Sequence, residues 1–211
     1  MKAICLDSER NVRIQEVTRP EKALPGHLLI EREASGINAG DKAFIAGVFP
    51  EGSIPVSRYG ICGVSGVGRV TAVGDGAPSA YKGKRVAVYR SLRFGDDIVG
   101  TWCETAHLPY LQCAVLPDDV EIEDYSGSLV NTMTPYAFVQ QVMEEGHKGI
   151  LCTAGNSATG IALLGICIRK GIPVLSIART DAGKNRLGEL GAKDVLVQAA
   201  PDFKPQLAEK T

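Results

Sequence analysis

Residues 149–160 read Gly149-Ile150-Leu151-Cys152-Thr153-Ala154-Gly155-Asn156-Ser157-Ala158-Thr159-Gly160, and they constrain this chain more than any other stretch. A short apolar run meets a glycine-containing turn, and a helix-compatible segment with Gly165 and Gly171 follows. Strand, tight turn and helix in that order bring free backbone N–H groups and the positive end of a helix dipole to one point, a seat for an anion. The alternation then continues as strand Pro173–Ala178, helix Asp181–Leu190 and strand Asp194–Val197. Alternating β and α of this size predicts a parallel sheet with right-handed crossovers. The tail Ala200–Pro205 reads as a loop or linker, because it holds two prolines.

The turn closes as Gly155-x-Ser157-x-x-Gly160, one glycine short of the dinucleotide fingerprint. Ser157 stands where a glycine usually lets the backbone approach a diphosphate, and a serine hydroxyl there adds a contact. Gly155, Asn156, Ser157, Ala158, Thr159 and Gly160 are therefore the candidate diphosphate residues; a glycine-rich turn that binds nothing is the alternative. The next strand ends Leu175-Ser176-Ile177-Ala178-Arg179-Thr180, with no carboxylate at its tip to take the ribose hydroxyls of NADH. Arg179 instead offers a planar cationic fork suited to a phosphate, with Ser176 and Lys184 nearby. The expected cofactor is NADPH, with Arg179 on the 2′-phosphate; a solvated strand-end charge is the alternative.

Residues 1 to about 120 carry a different rhythm. Short strand patterns recur at Ala3–Leu6, Val12–Glu16, His27–Ser35, Gly66–Val73, Arg85–Tyr89, Trp102–Pro109 and Ala114–Leu116, separated by Gly, Pro and Asp turns. That spacing predicts a partly closed β-barrel or sandwich. A short helix is expected at Asp41–Ala46, and Ser126–Val142 is helix-compatible with a break or kink at Pro135. The expected domains are 1–121 and 122–211.

With a formal net charge of −1 the chain presents no basic face, so nucleic acid is not an expected partner. No apolar run reaches the roughly 18 residues of a membrane span, and no presequence pattern opens the chain, so the simplest address is cytoplasmic. The six cysteines form no C-x-x-C pair and lie mostly in apolar runs, as reduced, buried thiols do. The three histidines are scattered, without the ligand spacing of a zinc site.

Several local sequences together make a recognisable pattern: Ser35-Gly36-Ile37-Asn38-Ala39-Gly40-Asp41, Gly47-Val48-Phe49-Pro50, Gly66-Val67-Gly68-Arg69-Val70, Gly83-Lys84-Arg85-Val86-Ala87, Gly100-Thr101-Trp102-Cys103-Glu104 and Leu190-Gly191-Ala192-Lys193-Asp194-Val195. Along its whole length the chain resembles the medium-chain dehydrogenase/reductase superfamily. The resemblance implies a GroES-like β-barrel domain followed by a Rossmann-type doubly wound domain. Zinc alcohol dehydrogenases of that superfamily place a cysteine ligand where this chain has Asn38, and their His-Glu pair before the later glycines is absent. The resemblance therefore narrows to the zinc-independent branch, quinone oxidoreductases and 2-enoyl thioester reductases. Val130-Asn131-Thr132-Met133-Thr134-Pro135-Tyr136 is similar to a segment of the latter.

What the resemblance implies is an NADPH-dependent, zinc-free oxidoreductase with no metal ligands, passing a hydride to a quinone or α,β-unsaturated carbonyl. Asn38 would lie beside the nicotinamide or the acceptor carbonyl, and Thr134 near the nicotinamide amide. Either residue also has a bland alternative, as a turn former or a helix-start residue. Enoyl thioester reductases carry a proposed tyrosine proton donor where this chain has Phe49, which has no proton to give; Tyr59 is a substitute candidate. The alternative readings are an enoyl thioester reductase and a non-catalytic nucleotide-binding module. The 51 residues of 161–211 are too few for a six-stranded doubly wound domain. That predicts a partial sheet with an open apolar edge, the mark of the N-terminal part of a longer reductase, with a complete short protein closed by self-association as the alternative; a homo-oligomer, a dimer in the related enzymes, is the expected assembly.

Overall fold

A computed structural model describes residues 1–90 and 99–211. They form two compact units, Met1–Val130 and Asn131–Thr211. The division falls inside a helix, later in the chain than the change of sequence rhythm near residue 121.

The first unit is antiparallel. Strands β1 (Lys2–Leu6) and β2 (Val12–Glu16) form a hairpin with Lys2 opposite Glu16. Five strands, β3 (His27–Ser35), β4 (Ser65–Val73), β5 (Arg85–Tyr89), β6 (Thr105–Pro109) and β7 (Cys113–Val115), make one sheet in the order β6-β3-β4-β5-β7. Period-two alternation gives the sheet two buried faces. Leu28, Ile30, Val70, Val86, Val88, Ala106 and Leu108 turn to one face, whereas Val67 and Ala87 turn to the other, with Leu116 and Ile122. The β3–β4 register shifts twice, after Leu29 and after Arg32, and such bulges increase local twist and bend the strand. Isolated bridges Ala3 to Cys103 and Cys5 to Ile61 tie β1 to the segments beside the sheet. Among the described residues, the one α-helix wholly inside this unit is α1 (Ala39–Ile45), which begins just after β3.

Helix α2 (Ser128–Glu144) spans the division. The second unit continues as β8 (Ile150–Cys152), α3 (Ala158–Lys170), β9 (Val174–Ala178), α4 (Asp181–Glu189), β10 (Asp194–Val197) and α5 (Phe203–Lys210). Its three strands are parallel in the order β10-β9-β8. Val139 packs with Cys152, Leu163 and Cys167; Leu164, Ala178 and Leu187 form a second cluster.

One local expectation is overturned. The tail is not a loop: α5 starts at Phe203 with Pro205 in its first turn. A proline costs little there, because first-turn N–H groups have no intrahelical partner. Helix α2 continues through Pro135, which is buried and forgoes one backbone bond. Among the described residues no helix is long and apolar enough to cross a membrane.

Candidate functional site

In the second unit, the turn after β8 is wound tightly against β9. Gly155 N–H donates to the Ile177 carbonyl at 2.8 Å, and Ala154 takes a left-handed backbone (φ 52°), uncommon for a residue with a Cβ. Ser157 is the N-cap of α3, and its hydroxyl accepts the Gly160 N–H at 3.1 Å. A Cβ at Gly160 would stand 2.4 Å from the Gly155 carbonyl oxygen, so helix and turn approach as only glycine permits. Thr159 Oγ1 donates to Asn131 Oδ1 at 3.5 Å.

The Asn156 side chain reaches toward the N-terminus of α4: its Nδ2 lies 3.4 Å from where a Cβ of Gly183 would be. Asn156 Oδ1 and Ser176 Oγ are both buried, and neither has a hydrogen-bond partner among the described residues. Thr180 caps α4 by accepting the Gly183 N–H at 3.2 Å. Arg179, between β9 and that cap, is exposed and has no ion pair among the described residues; Lys184 is exposed in the first turns of α4. Gly155 to Gly160, Ser176, Arg179 and Lys184 thus gather at the carboxyl ends of β8 and β9, the place where open α/β sheets bind ligands. Two orphaned polar atoms, a glycine-lined turn and a 13-residue helix N-terminus fit the pyrophosphate and ribose of a dinucleotide. Sequence reasoning missed the Asn156–Gly183 approach and the Thr180 cap; Thr180-x-x-Gly183 ahead of a helical pattern was the available signal for the latter.

In the first unit, a second polar cluster surrounds the start of α1. Asn38 is its N-cap, in extended backbone (φ −98°, ψ 161°). Asn38 N–H donates to the Asp41 carboxylate at 2.7 Å, and Asn38 Nδ2 donates to Ser65 Oγ at 3.0 Å. Ser65 and Thr101 are wholly buried. Thr101 Oγ1 donates to the Ser65 carbonyl at 2.9 Å, Ser35 Oγ donates to the Thr101 carbonyl at 3.0 Å, and Trp102 Nε1 donates to the Gly36 carbonyl at 3.1 Å. Arg90 is buried too; its N–H bonds the Val64 carbonyl at 2.7 Å, and its guanidinium donates to the Pro55 carbonyl. Burial pushes the Asp41 carboxyl up from its ordinary value, while the bonds from Asn38 and the Arg90 charge pull against that shift. Burial also raises the nearby Cys62 thiol to about 11.

The remaining candidates are scattered. Phe49 is 40% exposed on the loop after α1. Tyr59 takes a left-handed backbone (φ 59°) and lines a cavity of about 80 Å³ with Met1, Ile61, Thr105 and His107, a set without Asn38. Thr134 is exposed on α2. Among the described residues no group of three or more His, Cys, Asp or Glu is arranged to hold a metal ion. All six cysteines are free and buried.

Known proteins share these features. Residues 24–121 match the family described as the alcohol dehydrogenase GroES-like domain. The human synaptic vesicle membrane protein VAT-1 homolog is 27% identical over 146 residues, 68% of this chain and 34% of that protein. One component of the phenolphthiocerol/phthiocerol polyketide synthase of Mycobacterium tuberculosis is 28% identical over 184 residues, 84% of this chain and 8% of its own length. A Mesorhizobium loti protein named as an NADPH:quinone reductase superposes with a TM-score of 0.80 at 31% identity, covering 99% of this chain and 59% of that one. A mycobacterial protein solved with NADPH superposes with a TM-score of 0.77 at 26% identity, covering 100% and 62%. The chain therefore spans about a third of the length of the VAT-1 homolog and about six tenths of these solved structures. A GroES-like domain ahead of a parallel nucleotide-type sheet is the arrangement of the solved structures on which the chain superposes, and it is the one expected of the medium-chain dehydrogenase/reductase superfamily.

Proposed function

We propose that this chain is part of an NADPH-dependent, zinc-independent oxidoreductase that passes a hydride to a quinone or an α,β-unsaturated carbonyl acceptor. The observation that carries the reading is the β8–α3 turn, where a helix N-terminus, the close Gly155–Gly160 approach and the unpartnered Asn156 Oδ1 and Ser176 Oγ converge. The mycobacterial structure holding NADPH on the same fold supports the choice of cofactor. When bound, NADPH supplies the hydride.

In this reading the backbone of Gly155, Asn156, Ala158, Thr159 and Gly160 and the Ser157 cap hold the diphosphate. Ser176, Arg179 and Lys184 take the adenosine end, with the Arg179 fork on the 2′-phosphate. Thr134 hydrogen-bonds the nicotinamide amide. Asn38 holds the acceptor oxygen and stabilises the negative charge that grows on it. Donor chemistry supports zinc independence: an Asn38 amide already bonded to Ser65 is a poor replacement for a thiolate ligand. The polyketide synthase relative favours a second reading, enoyl thioester reduction, against which Phe49 offers no proton. β8 pairs only with β9 among the described strands, and its free side takes a further strand, from the rest of a longer chain or from a second copy.

The deciding experiment follows NADPH oxidation with 1,4-benzoquinone and, separately, with a crotonyl thioester. Quinone turnover is expected. Turnover of the thioester alone moves the assignment to the second reading, and failure to bind NADPH at all overturns both.

A further inference from the structure

We propose that Ser65 is the positioning residue for Asn38: its buried hydroxyl fixes the amide in one orientation, and Thr101 in turn fixes Ser65. The inference rests on the reading of Asn38 as the group that meets the acceptor. Asn38 sits at a helix start, and a solvated asparagine side chain there has rotational freedom to lose. Here its Nδ2 donates to Ser65 Oγ at 3.0 Å, while the Asn38 backbone N–H is held by the Asp41 carboxylate at 2.7 Å.

Ser65 is the first residue of β4, so its backbone is set by the ladder to Tyr89 in β5. Its carbonyl accepts from Thr101 Oγ1 at 2.9 Å, and both residues are wholly buried. The Thr101 carbonyl accepts from Ser35 Oγ, which itself accepts from the Arg32 guanidinium at 2.7 Å. The fit around the hydroxyl is close: a Cβ on Gly36 would come within 2.9 Å of Ser65 Oγ. Gly36 thus leaves room for the one oxygen that meets the amide. A sheet-anchored hydroxyl without exposure has no competing water, which makes it a better anchor than a surface partner.

The test joins a spectroscopic and a kinetic readout on the whole chain. In the ¹⁵N-labelled protein, one Asn38 Hδ2 proton should exchange slowly, and Ser65→Ala should remove that protection while Ser65→Thr keeps it. In NADPH-dependent reduction of 1,4-benzoquinone, Ser65→Ala should lower kcat about tenfold with the NADPH Kd unchanged. In an Asn38→Ala background the same change should cost less than about twofold, because the group it positions has gone. An equal loss in both backgrounds assigns Ser65 a merely structural role and overturns the proposal, as does an Asn38 amide indifferent to Ser65→Ala. A wild-type chain with the protected amide but no turnover on any acceptor keeps the anchoring and overturns the reductase reading instead.

Discussion

The Asp41 carboxylate accepts the backbone N–H of Asn38 at 2.7 Å from a position only 5% exposed. This contact holds the start of α1 in place, since Asp41 is the acidic residue of its first turn. Burial raises the native carboxyl above its usual 3.8, and the sign of the consequence follows. Below 3.8 the group is protonated whether the chain is folded or not. As pH rises, the unfolded chain releases this proton first while the folded chain keeps it, so Asp41 draws stability down until its native value is passed. Urea denaturation of wild type and Asp41→Asn from about pH 4 to pH 7 checks this. The advantage of wild type over the variant should shrink as pH rises; an advantage that grows with pH contradicts the buried-carboxyl account.

Gly160→Ala should damage the second unit and its ligand site together. The added Cβ would lie 2.4 Å from the Gly155 carbonyl oxygen, a backbone atom that cannot swing aside. Overpacking of this kind costs about 1–3 kcal/mol, and relief requires opening the turn. Thermal denaturation should show a lowered Tm, and NADPH fluorescence titration a weakened Kd. Gly165→Ala, at a helical position with nothing within 4 Å of the new Cβ, is the control: it should leave the Kd unchanged and not lower Tm, alanine being the better helix former.

The cysteines should be unreactive until the chain unfolds. Burial raises Cys62 and Cys103 to about 11 and Cys113 to about 12, and raises Cys5, Cys152 and Cys167 as well. A thiol of pKa 11 is about one part in a thousand thiolate at pH 8, and the thiolate is the nucleophile. A disulfide reagent at pH 8 should therefore label the native chain slowly and all six thiols at once in denaturant. Rapid native labelling of any one thiol would mean that its burial is incomplete.

The order of elements was legible because its signals are local. Val12–Glu16, His27–Ser35, Arg85–Tyr89 and Asp194–Val197 are strands with the bounds that their alternation and flanking turns predict. The tail was misread at a proline: Pro205 looks like a breaker in sequence, but a proline's cost depends on whether its missing N–H had a partner. The turn residues were legible in the same way, as a strand–glycine–helix grammar. The Ser65 hydroxyl was not, because 27 residues separate it from Asn38 and the β3–β4 pairing, with Ser35 opposite Gly66, brings the two together. Polar contacts at that sequence distance leave no periodic trace.

Arg179→Ala should separate the two nicotinamide cofactors. Arg179 is exposed, follows β9 directly, and stands beside the Thr180 cap of α4, with no acidic partner among the described residues to neutralise it. A bidentate guanidinium–phosphate contact contributes about 1.5–3 kcal/mol, which corresponds to about 10- to 150-fold in Kd. The NADPH Kd should rise by that factor, while the NADH Kd, which owes nothing to a 2′-phosphate, should stay within about twofold. Because the attraction is between exposed charges, the NADPH preference of wild type should also shrink as salt is raised and that of the variant should not. Equal weakening of both cofactors would place Arg179 in the architecture of the turn, and an unchanged preference would leave the phosphate to another residue, with Lys184 the next candidate on α4.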